Sequence, residues 1–114
     1  KEIERILKKN GNLVGSTPFI YQVHGAPFDY QRFTKDFFYK VFSKKKYKSL
    51  AIKSLGFGPF IASYGLIQAY LRFFPIIREI ILIICYFVDT FIQIFVNTRL
   101  KEIYPIGYFF IIKK

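Results

Sequence analysis

The sequence predicts an all-α membrane protein: two transmembrane helices in a hairpin, preceded by an amphipathic interfacial helix and an extended N-terminal arm. Three observations lead there. Residues 54–71 form a run of eighteen without Asp, Glu, Lys or Arg, and the nineteen residues 80–98 carry one formal charge, Asp89. At about 1.5 Å of rise per residue, runs of this length suit an apolar layer of ~30 Å. Between them "RFFPIIRE" at 72–79 centres on Pro75, which cannot continue a regular hydrogen-bond ladder, and reads as a turn at a membrane surface. Finally, the charge alternates with these runs: of 18 Lys and Arg, twelve precede residue 54, two (Arg72 and Arg78) sit in the turn and four follow residue 98.

Composition narrows the class further. A chain of 114 residues allows one compact unit, here divided into a basic, aromatic-rich segment 1–53, a hairpin 54–98 and a tail 99–114. Phe, Ile, Lys, Tyr and Asn make up 58 of the 114 residues, against four Ala, a usage expected of an AT-rich genome such as many organellar ones. The opening "KEIERILKK" has no apolar signal core, and Glu2 and Glu4 argue against an intact transit peptide, so any targeting segment is expected to have been removed. The single Cys85 excludes an intramolecular disulfide and a cysteine metal cage. A net charge of +11 suits anionic lipid or nucleic acid.

Taken in order, residues 2–9 place Ile3, Ile6 and Leu7 at helical spacing, and "NGN" at 10–12 stops that short helix. "LVGSTPFIYQVHGAPF" at 13–28 has two Pro, two Gly and no sustained period, so it reads as an arm laid over a partner. Asp29 can cap the next helix, 29–47, whose Tyr30, Phe33, Phe37 and Val41 share one face that Phe38 and Phe42 widen. Such a helix lies flat at a headgroup boundary or packs its aromatics into a protein core. Lys44, Lys45 and Lys46 complement its negative end and, with Lys48, Arg72 and Arg78, are the expected contacts to anionic phospholipid headgroups.

The two membrane helices are expected at about 55–72 and 76–98. In the first, Gly58, Ala62, Gly65 and Ala69 recur at steps of four, three and four, a face stripped of bulk for close helix packing. The second carries a polar seam, Cys85, Asp89, Gln93 and Asn97, with Arg78 one step earlier. Asp89 at membrane depth should face protein or water, since exposure to lipid costs about 2.5–3.5 kcal/mol. A hairpin turning at Pro75 brings it level with Ile61, with Ser63 and Tyr64 as candidate donors. It then acts as a hydrogen-bonded lock between helices or as a proton relay, and the lack of a succession of titratable neighbours favours the lock. After 98, Arg99 and Lys101 mark the return to water and "YPIGYFFIIKK" an extended tail.

No enzyme constellation is visible. His24 stands in a loop with no Asp, Glu or Cys at metal spacing, "GFGPF" at 56–60 lacks the third Gly and the Lys of a phosphate-cradling loop, and Cys85 has no neighbouring base. "SKKKYKS" at 43–49 could neutralise phosphates, yet two long uncharged runs are unusual in a nucleic-acid-binding protein, so nucleic acid is not the expected partner. No motif carries a family resemblance; by composition the chain resembles small accessory subunits of organellar inner-membrane complexes. The expectation is therefore a non-enzymatic structural subunit, without cofactor or metal, of an energy-transducing complex (respiratory chain or ATP synthase) in an organellar, mitochondrial inner membrane. It would be multi-pass, with both termini on the matrix side, and its partners would be larger membrane subunits and anionic phospholipid. The alternatives are a small proton- or ion-conducting protein using Asp89, and a basic organellar ribosomal protein.

Overall fold

Three β-strands, one near each end of the chain and one from its middle, make a sheet where helices and extended segments were expected. In the computed structural model, which describes residues 2–23, 28, 31–42, 47–96 and 99–114, the order is α1 (Glu2–Ile6), β1 (Asn12–Pro18), α2 (Lys35–Phe42), β2 (Ser49–Leu55), α3 (Pro59–Ile67), a 3₁₀ turn (Tyr70–Phe73), α4 (Pro75–Val96), α5 (Leu100–Ile103) and β3 (Gly107–Lys113). His24, Asp29, Tyr30, Lys44, Lys45, Lys46 and Asn97 lie outside the described residues.

The sheet is antiparallel in the order β1-β3-β2, with Leu13 and Leu50 both opposite Ile112, and Thr17 and Ser54 both opposite Tyr108. β3 takes the centre because "YFFII" offers apolar side chains to both faces, whereas its neighbours alternate. Strand alternation sends Leu13, Leu50, Ile52, Phe110 and Ile112 to one face, where α2 covers them. Phe38 packs on Phe110 with ring centroids 4.9 Å apart, and Phe38, Phe42 and Ile112 form the buried centre.

The all-α expectation is thus overturned by the three-stranded sheet, and the fold is mixed α/β. The arm became β1, the tail became β3, and the segment between the expected interfacial and first membrane helices became β2. The helix expected at 29–47 is confined, among the described residues, to Lys35–Phe42. It buries Phe38 and Phe42 while Phe37 and Val41 stay 39% and 47% exposed, because the sheet, and not a bilayer, receives its aromatics.

The two-span hairpin is overturned as well. Strand pairing holds the chain extended to Leu55, and Gly56 then turns it at φ +123, a conformation unfavourable to other residues. Pro59 starts α3 at its first helical position, and the helix ends nine residues on, about 13.5 Å, too short to cross a bilayer. One described helix, α4, is long and apolar enough to do so. Outside the hairpin, the Glu102 carboxylate accepts hydrogen bonds from Ser54 Oγ (2.7 Å) and Lys35 Nζ (3.0 Å), tying β2, α5 and α2 together.

Candidate functional site

α4 begins at Pro75, which has no N–H to lose at a first helical position, and runs 22 residues, about 33 Å, without an interior Gly or Pro. α3 and the 3₁₀ turn lie antiparallel along one side of it. The stripe they meet includes Arg78, Leu82, Cys85, Asp89 and Gln93, spaced three or four apart, with Val88 beside Asp89, all half-buried or buried. The opposite face of α4 is uncovered: Ile76, Phe87, Ile94 and Phe95 are each at least 66% exposed, and only 6% of the helix's apolar window is buried within the chain.

Asp89 is the sole fully buried carboxylate among the described residues, at 0% exposure. Its Oδ1 accepts the backbone N–H of Phe60 (3.1 Å) and its Oδ2 that of Ile61 (2.9 Å). These are the orphan donors of α3. The first intrahelical bond runs from the Ala62 N–H to the Gly58 carbonyl, Pro59 has no N–H, and the capping residue Gly58 has no side chain to offer. Asp89 therefore caps α3 from the neighbouring helix, with both carboxyl oxygens at the positive end of the α3 dipole.

The rest of the site serves that contact. A Cβ on Gly58 would lie 2.5 Å from the Asp89 carboxyl carbon, so only glycine leaves room for the cap. One turn on, Gln93 Nε2 donates to the Phe57 carbonyl (3.3 Å), and one turn back Tyr86 stacks on Phe57 with centroids 4.8 Å apart. Buried polar groups need such partners, and the backbone of residues 57–61 supplies them to this seam.

The expected site residues separate into three groups. Gly58 and Ala62 are buried in the hairpin, but nothing approaches within 4 Å of a Cβ on Gly65, and Ala69 is exposed beyond the end of α3. Cys85, Asp89 and Gln93 line the stripe as a seam, with the donors to Asp89 coming from the Phe60 and Ile61 backbone instead of Ser63, which is exposed, or Tyr64, whose side chain is buried elsewhere. The cations lie far apart in the fold: Arg72 stands over the Phe73 ring (5.3 Å) and Arg78 pairs with Glu79 (2.7 Å) at the hairpin tip, while Lys48 bonds the Asn10 side chain at the opposite end of the sheet. Backbone donors carry no side-chain signal; the Gly-Pro step in "GFGPF" was the one trace of them in the sequence. Among the described residues no three His, Cys, Asp or Glu side chains come together to hold a metal.

The hairpin has one topological property that matters for its setting. β2 leads into it and β3 follows it, and both strands belong to one sheet, so the chain enters and leaves the α3–α4 hairpin on the same side. Comparison of the chain with known protein families, with curated proteins and with solved structures finds no match.

Proposed function

We propose that this chain is a structural subunit of a membrane complex, with the α3–α4 hairpin embedded in lipid or against larger membrane subunits and the small sheet held at the surface beside it. The carrying observation is α4 itself, a membrane-length apolar helix with only 6% of its apolar window buried and one broad face left exposed by its own chain. Free in water, a surface of that size drives association, whereas a bilayer or membrane subunit covers it without further change. The seam supports the reading: the one carboxylate at that depth is capped internally, so the hairpin presents hydrocarbon outward.

Both oxygens of Asp89 are held by fixed backbone donors, which favours a lock over a proton relay. The AT-rich residue usage supports placing the complex in an organellar, mitochondrial inner membrane, and the excess of Lys and Arg outside the hairpin supports a matrix-side sheet with both termini there. Alkaline carbonate extraction of the membrane fraction, followed by mild-detergent native electrophoresis, tests the proposal. The chain should stay in the pellet and migrate with larger membrane subunits; release as a monodisperse soluble species would refute it.

A further inference from the structure

A second apolar feature lies outside the hairpin. Between α1, α2 and the sheet is a half-open cavity of about 420 Å³ lined by Ile3, Leu13, Phe37, Phe38, Val41 and Phe110, among others. The volume falls within the ~300–1,000 Å³ of small-molecule sites, and the walls offer hydrocarbon and aromatic rings with two hydroxyls, Ser16 and Thr17, and no ionisable group. α2 leaves Phe37 and Val41 turned partly outward at its mouth, 39% and 47% exposed.

One end of this cavity meets a rim of cations. Leu13 follows Asn12, which pairs with Lys113; the Asn10 N–H bonds the Lys114 carbonyl, the Lys48 N–H bonds the Lys113 carbonyl, and the Gly11 N–H bonds the Lys8 carbonyl. Lys8, Lys9, Lys48, Lys113 and Lys114 thus converge from three stretches of chain on one end of the sheet. Of the described acidic groups around the cavity, Glu2 on α1 is paired with Arg5, and the others lie toward the other end of the sheet: Glu102 bonds Ser54, and Asp36 begins α2 beside Lys35, the partner of Glu102. Among the described residues the rim offers no exposed aromatic platform of the kind single-stranded nucleic acid stacks upon, since Tyr47 packs edge-on against Phe42 (5.4 Å).

We propose that this cavity and its rim bind one anionic phospholipid, an acyl chain entering beneath α2 and the phosphate resting on Lys8, Lys9 and Lys48. Charge complementarity selects the headgroup and the unionisable walls select the chain. The proposal rests on the membrane reading of α4 for its lipid source: the hairpin leaves the sheet at Leu55 and Gly107, and the rim lies one strand length away, at the Ser49 and Lys113 end of the same sheet.

Native mass spectrometry of the full chain in mild detergent tests this, with phosphatidylglycerol and phosphatidylcholine of identical acyl chains as probes. The wild type should retain one phosphatidylglycerol, in about tenfold preference or more over phosphatidylcholine. Val41→Trp, or Phe37→Trp should the first variant misfold, fills the mouth and should abolish both adducts. The combined Lys8→Gln, Lys9→Gln and Lys48→Gln variant should equalise the two lipids without abolishing them. Equal retention by the wild type, adducts that survive the tryptophan variants, or lysine-dependent binding of an RNA oligonucleotide in place of lipid would overturn the proposal. The adducts are scored in detergent, whereas insertion into pure phosphatidylcholine liposomes scores the membrane reading, so the two can fail separately.

Discussion

The Asp89 carboxylate binds the backbone N–H of Ile61, 28 residues earlier in the chain, at 2.9 Å, with Phe60 on its other oxygen. The helix that receives the cap begins with Gly58 and Pro59, which cannot cap it themselves. This contact gives a buried carboxylate two matched donors and fixes α3 against α4.

Asp89→Leu should therefore cost more than removal of an ordinary cap, about 3 kcal/mol or above, because two N–H groups at the start of α3 lose their acceptors together. Asparagine has one acceptor oxygen for two donors and turns an NH₂ toward the second. Asp89→Asn should sit between, at about 1–2 kcal/mol. Thermal unfolding in detergent ranks the three; equal stability of Asp89→Asn and Asp89→Leu would mean that the charge itself, not acceptor geometry, holds the pair.

The glycines of the same run separate in the same assay. Gly58→Ala places a methyl 2.5 Å from the carboxylate and should destabilise the hairpin by about 1–3 kcal/mol, with reduced assembly. Gly65→Ala meets nothing within 4 Å and gains helix propensity, so it should be neutral or stabilising by up to ~1 kcal/mol. The reverse order would contradict the cap geometry.

These predictions mark what the sequence could and could not tell. The spacing of Cys85, Asp89 and Gln93 placed the seam on one side of a helix, and a turn at Pro75 placed Asp89 level with Ile61, because both follow from local periodicity. The sheet was not legible. Asn12 pairs with Lys113 across almost the whole chain, Gly15 interrupts the alternation of β1, and the central strand "YFFII" has no alternation to show. Eighteen uncharged residues suggested a span, but that count included two strand residues, the turn at Gly56 and the first two residues of the 3₁₀ turn, and length without continuous helix does not cross a bilayer.

The Glu102 contact predicts an acid limb to stability. Hydrogen bonds from Ser54, then Lys35, hold its carboxyl below the ordinary 4.5. A carboxylate lowered in the folded state adds stability above its unfolded value, lost as pH falls through the folded one. The sheet should thus weaken below about pH 4.5. Glu102→Gln should flatten that limb; an unchanged acid profile would remove Glu102 from the account.

In the core, Ile112 is fully buried beneath Phe38 and Phe42, whereas Ile111 on the other face is 39% exposed. Ile112→Ala should cost about 2–5 kcal/mol. Ile111→Ala should cost well under half of that, and equal losses in denaturant titration would mean that a partner covers the α2-free face.

The central claim is that lipid, or a membrane subunit, covers the outward side of α4. Spin labels at Phe87, Ile94 and Phe95 in a Cys85→Ser background, with the full chain in liposomes, test it by collision with oxygen and with a water-soluble nickel complex. High oxygen and low nickel accessibility at all three positions is the predicted result. High nickel accessibility there would place α4 in water and contradict the account.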